Sequence, residues 1–277
     1  MTLDQLDEQV FRAHESTETT VRTFGGAFVG QAVMAAGRTV PTDRPIHSAH
    51  GHFIRPGDPG KPVIYGVRCI RDGGTYSVRQ VDASQEGTLV FQLTASFHIG
   101  STTDMDYQAQ RLRVSTPAEL PPQDQDFADD PDNRRWAQRL SEWLGVDLRF
   151  PEPPARASAG SPSTEGRQSV WLRTSDELGD DPLLHAAALA YSSDLLLLST
   201  GLAPSGRAFS EPGMKFASLD HTVWFHHPTR ADEWFLHDME ALWNGHGRSL
   251  SKGAIFNESA HMVATTAQEG VVRPARN

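Results

Sequence analysis

At 277 residues and a formal net charge of −10, the chain is long enough for one large domain or two modest ones, with two expected. The acidic balance argues against the basic face that nonspecific nucleic-acid binding requires. A lone cysteine, Cys69, excludes an intrachain disulfide and fits a reducing cytoplasmic location.

The acidic start, Met1 to Glu8, lacks a signal-peptide pattern. The apolar runs look too short or too charged for stable membrane insertion. Leu3, Leu6, Val10 and Phe11 recur at helical spacing, which predicts a short amphipathic helix over residues 3 to 16. Thr17 to Phe24 reads as a strand. The small residues from Gly25 to Gly37 then predict a helix packed close to a sheet. Gly25 and Gly26 serve either that packing or a phosphate cradle, and the missing Walker and dinucleotide spacings favour packing.

Four strands separated by turn signals follow: Ser48 to Ile54, Val63 to Arg71, Ser77 to Ala83 and Thr88 to Phe97. They predict an antiparallel meander behind the helix. Cys69, inside it, is expected in the core. Residues 101 to 168 change composition toward proline, aspartate, serine and glycine and read as a connection between halves, with one amphipathic helix from Pro131 to Leu144. From Ser169 the order returns: a strand from Val170 to Arg173, a helix from about Pro182 to Ser199, and strands to Val272.

Within that helix Asp194 precedes four leucines, Leu195 to Leu198. An ionised carboxylate beside such a run is either solvated or held by partners, and capping does not explain a position inside a helix. The leucines serve either the core or an acyl tunnel. The halves align when Phe53-Ile54-Arg55-Pro56 is set on Phe225-His226-His227-Pro228, a shift of 228 − 56 = 172. The same shift places Gly73 on Gly245, Ser77 on Ser249, Glu86 on Glu258 and Thr94-Ala95 on Thr266-Ala267, which points to an internal duplication.

Phe24-Gly25-Gly26, Gly30-Gln31-Ala32, His47-Ser48, Phe53 to Asp58, Tyr191 to Asp194, Glu211-Pro212-Gly213, Asp220 to His226 and Gln268 to Val271 together resemble the acyl-CoA thioesterase II (TesB-type) family. The resemblance implies an α+β double hotdog, with units at 1–100 and 169–277 joined by 101–168. It implies hydrolysis of fatty acyl-CoA to free fatty acid and coenzyme A, without cofactor or metal, in a homodimer or higher homo-oligomer. It also implies that Asp194, Ser218 and Gln268 hold the attacking water, with serine at a place where threonine also occurs. These residue types suit the reaction: a proton acceptor, groups that fix water, and donors for an oxyanion.

At the shift of 172, Ser218 falls on Ile46 and Gln268 on Ser96, so only the second half is expected to carry the polar set. Gly25, Gly26, Arg55 and Arg248 are candidates for substrate contact, and Arg71 and Arg79 join them as possible phosphate partners. His221, His226 and His227 are expected in a turn and on solvated surface, without zinc spacing. A hotdog hydratase or dehydratase and a noncatalytic acyl-CoA-binding protein remain the alternatives, because fold alone does not choose a reaction.

Overall fold

The computed structural model describes residues 2–14, 22–100, 107–111, 113–122, 127, 129–158, 166–207, 209 and 211–274. The first half contains β1 (Asp4–Asp7), β2 (Val10–Ala13), α1 (Gly25–Gly37), β3 (Ile46–Phe53), β4 (Val63–Asp72), β5 (Tyr76–Gln85) and β6 (Thr88–His98). After α2 (Pro131–Leu144) the second half follows with β7 (Val146–Arg149), β8 (Arg167–Thr174), α3 (Pro182–Ser193), α4 (Leu197–Thr200), β9 (Met214–Ser218), β10 (Asp220–Phe225), β11 (Phe235–Gly245), β12 (Arg248–Asn257) and β13 (Met262–Pro274).

All the strands share one sheet in the order β1-β2-β4-β5-β6-β3-β10-β13-β12-β11-β8-β7, with β9 added beside β13. The order reads the same from either end. The halves meet at the antiparallel β3–β10 pair, where Ser48 faces Trp224 and His52 faces Asp220. The inner face carries Val81, Ala83, Phe91, Leu93 and Phe97 against α1 in one half, and Phe235, Met239, Ile255 and Ala264 in the other. This is the α+β double hotdog that the resemblance implies.

The two helices cross at glycines. A Cβ on Gly26 would lie 2.2 Å from the Tyr191 carbonyl oxygen, and one on Gly37 would lie 2.3 Å from Leu183. The N-terminus of α1 therefore sits at the C-terminus of α3, and the pair runs antiparallel. α2 packs across the junction, with Trp143 edge-on to Phe24 at 5.9 Å and the Leu144 carbonyl accepting the Tyr191 hydroxyl at 3.1 Å.

Several expectations change. Residues 3 to 14 form no helix, and the remainder of that predicted element, 15 and 16, lies outside the described residues. The chain turns back after Asp7, and Asp4 faces Arg12 across a hairpin with a 2.7 Å ion pair. The alternation that buries Phe11 and Ala13 is a strand signal that the wider spacing of Leu3 and Leu6 hid. The strand expected from Thr17 falls mostly outside the described residues, and 22–24 are not in a strand. β7 lies inside the stretch read as a connection and belongs to the second half's sheet, while residue 169 falls inside β8. Cys69 is exposed, next to a bulge between Cys69 and Arg71. Pro182–Ser205 is long and apolar enough to cross a membrane by composition, yet 72% of that window is buried in the fold.

The duplication is real, but its shift is not constant. β4 and β5 map onto β11 and β12 at 172. In β6, Ala95 pairs with Arg79, whereas in β13 Gln268 pairs with Ser251, which is 79 + 172. Gln268 therefore corresponds to Ala95, a shift of 173. The extra residue lies in the turn, which is Glu86-Gly87 in the first half and Glu258-Ser259-Ala260, with Ala260 at φ 64°, in the second. A one-residue slip moves a side chain to the other sheet face, which is why Ser96 is the wrong counterpart.

If the α1–α3 contact organises the fold, Gly26→Ala should cost about 1–3 kcal/mol by overpacking against backbone. That corresponds to a fall in Tm of roughly 3–10 °C. Thermal unfolding checks this, and an unchanged Tm would contradict it.

Candidate active site

Asp194 does not lie inside a helix. α3 ends at Ser193 with Asp194 as its C-cap, and Leu196 takes a left-handed φ of 66° before α4 begins. That conformation is uncommon for a bulky residue and redirects the chain. The break places the carboxylate between α3, α1 and β13. It accepts the Gly26 backbone N–H at the start of α1 and the Gln268 Nε2–H at 2.5 Å. Gln268 Nε2 also donates to Ser218 Oγ at 2.9 Å. The three residues named from the resemblance thus share one hydrogen-bonded cluster.

Gln268 spends its amide hydrogens on Asp194 and Ser218. Its buried Oε1 accepts no hydrogen bond among the described residues. The cluster therefore combines a carboxylate, a hydroxyl and an open amide acceptor. Burial pushes the Asp194 carboxyl up to about 6, against the lowering pull of the Gln268 and Gly26 hydrogen bonds.

Asp194 and Ser218 line a cavity of about 740 Å³. Its apolar wall includes Phe28, Phe53, Leu140, Trp143, Leu195 and Leu198. Of the four leucines after Asp194, Leu197 is the one that serves the core alone. Arg22, Arg55, Arg156, Arg207 and Lys215 also line the cavity, and Asp194 is the sole carboxylate among its described lining residues.

The substrate-contact candidates separate. Gly25 and Arg55 line the cavity, and Gly26 lies at the Asp194 hydrogen bond. Arg248 does not line it; it pairs with Glu269 at 3.2 Å and stacks on Trp243. Arg79 is buried, ion-paired to Asp72 at 2.9 Å and bonded to Thr39, so it is a structural cation. Arg71 does not line the cavity either.

Two residues escaped the sequence reading. His221, expected on the surface, is fully buried on β10 with Nδ1 3.9 Å from Asp194 Oδ1. His237 on β11 is also buried and bonds Thr266 Oγ1 through Nε2 at 3.0 Å. Desolvation pushes both rings down to about 3, so both are neutral near pH 7. Their signal was the alternation of β10: His221 shares its buried face with Val223, opposite Thr222 and Trp224. In the first half the corresponding places hold Ala49, 221 − 172, and Tyr65, 237 − 172. Among the described residues no group of three or more His, Cys, Asp or Glu is placed to hold a metal ion.

Residues 13–98 match the acyl-CoA thioesterase N-terminal domain family model, and residues 149–271 match the acyl-CoA thioesterase model. The chain is 35% identical to the human acyl-coenzyme A thioesterase 8, over 99% of this chain and 87% of that one. It is 32% identical to the crystal structure of acyl-CoA thioesterase II TesB2 from Mycobacterium marinum, with a TM-score of 0.79 over 100% of this chain and 96% of the other. A hot dog fold protein from Alicyclobacillus acidocaldarius, 19% identical over 99% of this chain and 97% of its own, superposes with a TM-score of 0.76 and supports the fold alone. With both halves matched in order and a buried carboxylate–amide–hydroxyl cluster at an apolar cavity, the chain belongs to the TesB-type acyl-CoA thioesterase family and is a double-hotdog thioester hydrolase.

Proposed function

We propose that this thioesterase hydrolyses fatty acyl-CoA by direct attack of a water held by Asp194, Ser218 and Gln268. The observation that carries the reading is the cluster itself: one Gln268 amide tying a buried carboxylate to a hydroxyl on the wall of an apolar cavity. Water gives a proton to Asp194 as its oxygen bonds the acyl carbon. The Ser218 hydroxyl orients it, and the Gln268 amide holds Asp194 and Ser218 in place. The first turn of α1, at Gly25, offers backbone N–H to the developing oxyanion, aided by the helix dipole.

The apolar wall fits a hydrocarbon chain, and the cavity cations other than Arg207, which pairs with Glu211 at 2.7 Å, fit an anionic coenzyme. The geometry favours hydrolysis over hydration because the histidine nearest Asp194 sits behind it, fully buried and absent from the cavity wall. Homo-oligomerisation and cytoplasmic location belong to the same reading. They are supported by the outer strands β1 and β7, each paired on one side only among the described residues, and by the lone Cys69.

Thiol release from acyl-CoAs of graded length should show turnover rising from acetyl to chains long enough to reach the apolar wall. A panel bound without thiol release would overturn the hydrolase mechanism in favour of a binding role. Asp194→Asn should lower kcat by about 10²–10⁴-fold, the usual weight of a general base. The same variant should be at least as heat-stable as the parent at pH 7.5. The folded carboxyl lies near 6 against an ordinary 3.8, so its contribution is intact below about pH 3.8 and is lost as pH rises through 6. At neutral pH the ionised group costs on the order of 3 kcal/mol. A folded Asp194→Asn enzyme with parental kcat, or one melting well below the parent, would contradict this. Finally, kcat/KM should fall tenfold per pH unit below about pH 6, because protonated Asp194 accepts nothing. A flat profile from pH 7 to pH 4.5 would exclude it as the base.

A further inference from the structure

His221 has no part in the mechanism above, yet its hydrogen bonds define its state. Ser193 Oγ has one proton and gives it to the Ala190 carbonyl at 2.9 Å. With that proton on Ala190, the 2.8 Å contact between Ser193 Oγ and His221 Nε2 is assigned as a donation from the ring, which puts the hydrogen on Nε2. Burial keeps the ring neutral. Nδ1 is left as a bare lone pair. It is buried, has no hydrogen-bond partner among the described residues, and lies 3.9 Å from Asp194 Oδ1.

A lone pair facing an ionised carboxylate is mildly repulsive, but the same lone pair facing a protonated carboxyl is a partner once the O–H closes to about 2.7 Å. We propose that His221 is a positioning residue whose Nδ1 receives the Asp194 O–H after the carboxyl has taken the water's proton. This rests on Asp194 being the base. In the first step a water O–H bond breaks, the C–O bond forms, the carbonyl electrons move to the oxyanion and the proton goes to Asp194. His221 then holds that O–H through the tetrahedral stage. On collapse the C=O reforms, the C–S bond breaks with its electrons on sulfur, and Asp194 returns the proton to give the thiol and the acid.

The groups that hydrogen-bond Asp194 do not supply this acceptor, and the rival bare acceptors among the described residues are Gln268 Oε1 and His237 Nδ1. The Gln268 Nε2–H and the Gly26 N–H are donors. His237 on β11 points its Nε2 to Thr266. Asp220 is turned to the Glu269 N–H at 2.7 Å, and Glu269 pairs with Arg248. Among the described residues, the charged cavity groups besides Asp194 are the cations Arg22, Arg55, Arg156, Arg207 and Lys215.

Two substitutions separate positioning from packing. His221→Gln can keep an N–H for Ser193 but has no acceptor at the δ position, whereas His221→Asn places Oδ1 where Nδ1 stood. His221→Gln should lose about tenfold or more in kcat and move the acid limb of kcat/KM down by roughly one pH unit, since the protonated carboxyl loses its partner. His221→Asn should stay within about threefold of the parent, with the limb in place. An unmoved limb in His221→Gln, or equal losses in both folded variants, would overturn the proposal.

The parent protein supplies a test that does not depend on a variant folding. Nitrogen-15 NMR of labelled histidine should find His221 protonated at Nε2 and bare at Nδ1 at pH 8. The Nδ1 signal should shift toward a hydrogen-bonded nitrogen as the pH is lowered through 6. A proton on Nδ1 at pH 8, or no shift, would overturn it. An active Asp194→Asn enzyme would instead sink the reading of Asp194 as the base while leaving the tautomer untouched.

Discussion

The structure depends on one buried carboxylate held where two helices meet. Asp194 closes α3, an electrostatically poor place for an anion, and faces the N-terminus of α1, a good one. Gly26 makes the arrangement possible, because the Tyr191 carbonyl leaves no room for a side chain there. Gly25 adds to it, since a Cβ at that position would lie 2.8 Å from Asp194 Oδ2. Close packing and anion contact, alternatives when the sequence is read alone, are served by the same pair of glycines.

Around that contact the fold is symmetric and the chemistry is not. Each half lays an antiparallel meander over its own helix, and the strand order reads alike from both ends. Yet Ser218, His221, His237 and Gln268 occupy places that hold Ile46, Ala49, Tyr65 and Ala95 in the first half. Tyr65 there bonds Gln31 at 2.6 Å inside its own core. At these places the first half is apolar or closed on itself, while the second accepts buried polar groups that are each hydrogen-bonded through one atom and leave His221 Nδ1, His237 Nδ1 and Gln268 Oε1 without a partner among the described residues. The raised Asp194 carboxyl is the residual strain of that choice.

Much of this was legible in the chain. The small residues from Gly25 to Gly37 have little use except a closely packed helix, and Asp-Gly-Gly at 72–74 and Glu-Gly at 86–87 mark hairpin turns. The motif containing Asp194 was identifiable, and Asp194, Ser218 and Gln268 do come together. What was not legible turned on single residues. One extra turn residue before β13 shifted every later correspondence by one and hid Ala95. The positive φ of Leu196, with no glycine to announce it, turned an apparent helix interior into a C-cap. His221 was read by its histidine neighbours at 226 and 227, when its strand partner Val223 was the better guide to burial. Arg248 and Arg79 looked like anion ligands because sequence does not reveal which cations already have carboxylates.

The central claim is that water attacks the acyl carbon directly. A single turnover in oxygen-18 water with enzyme in excess over acyl-CoA tests it, reading label in the fatty acid and in the peptide containing Asp194. Direct attack predicts one labelled oxygen in the acid from the first turnover and none in the protein. An unlabelled first-turnover acid with label at Asp194, or an acyl group trapped on Ser218, would contradict the account.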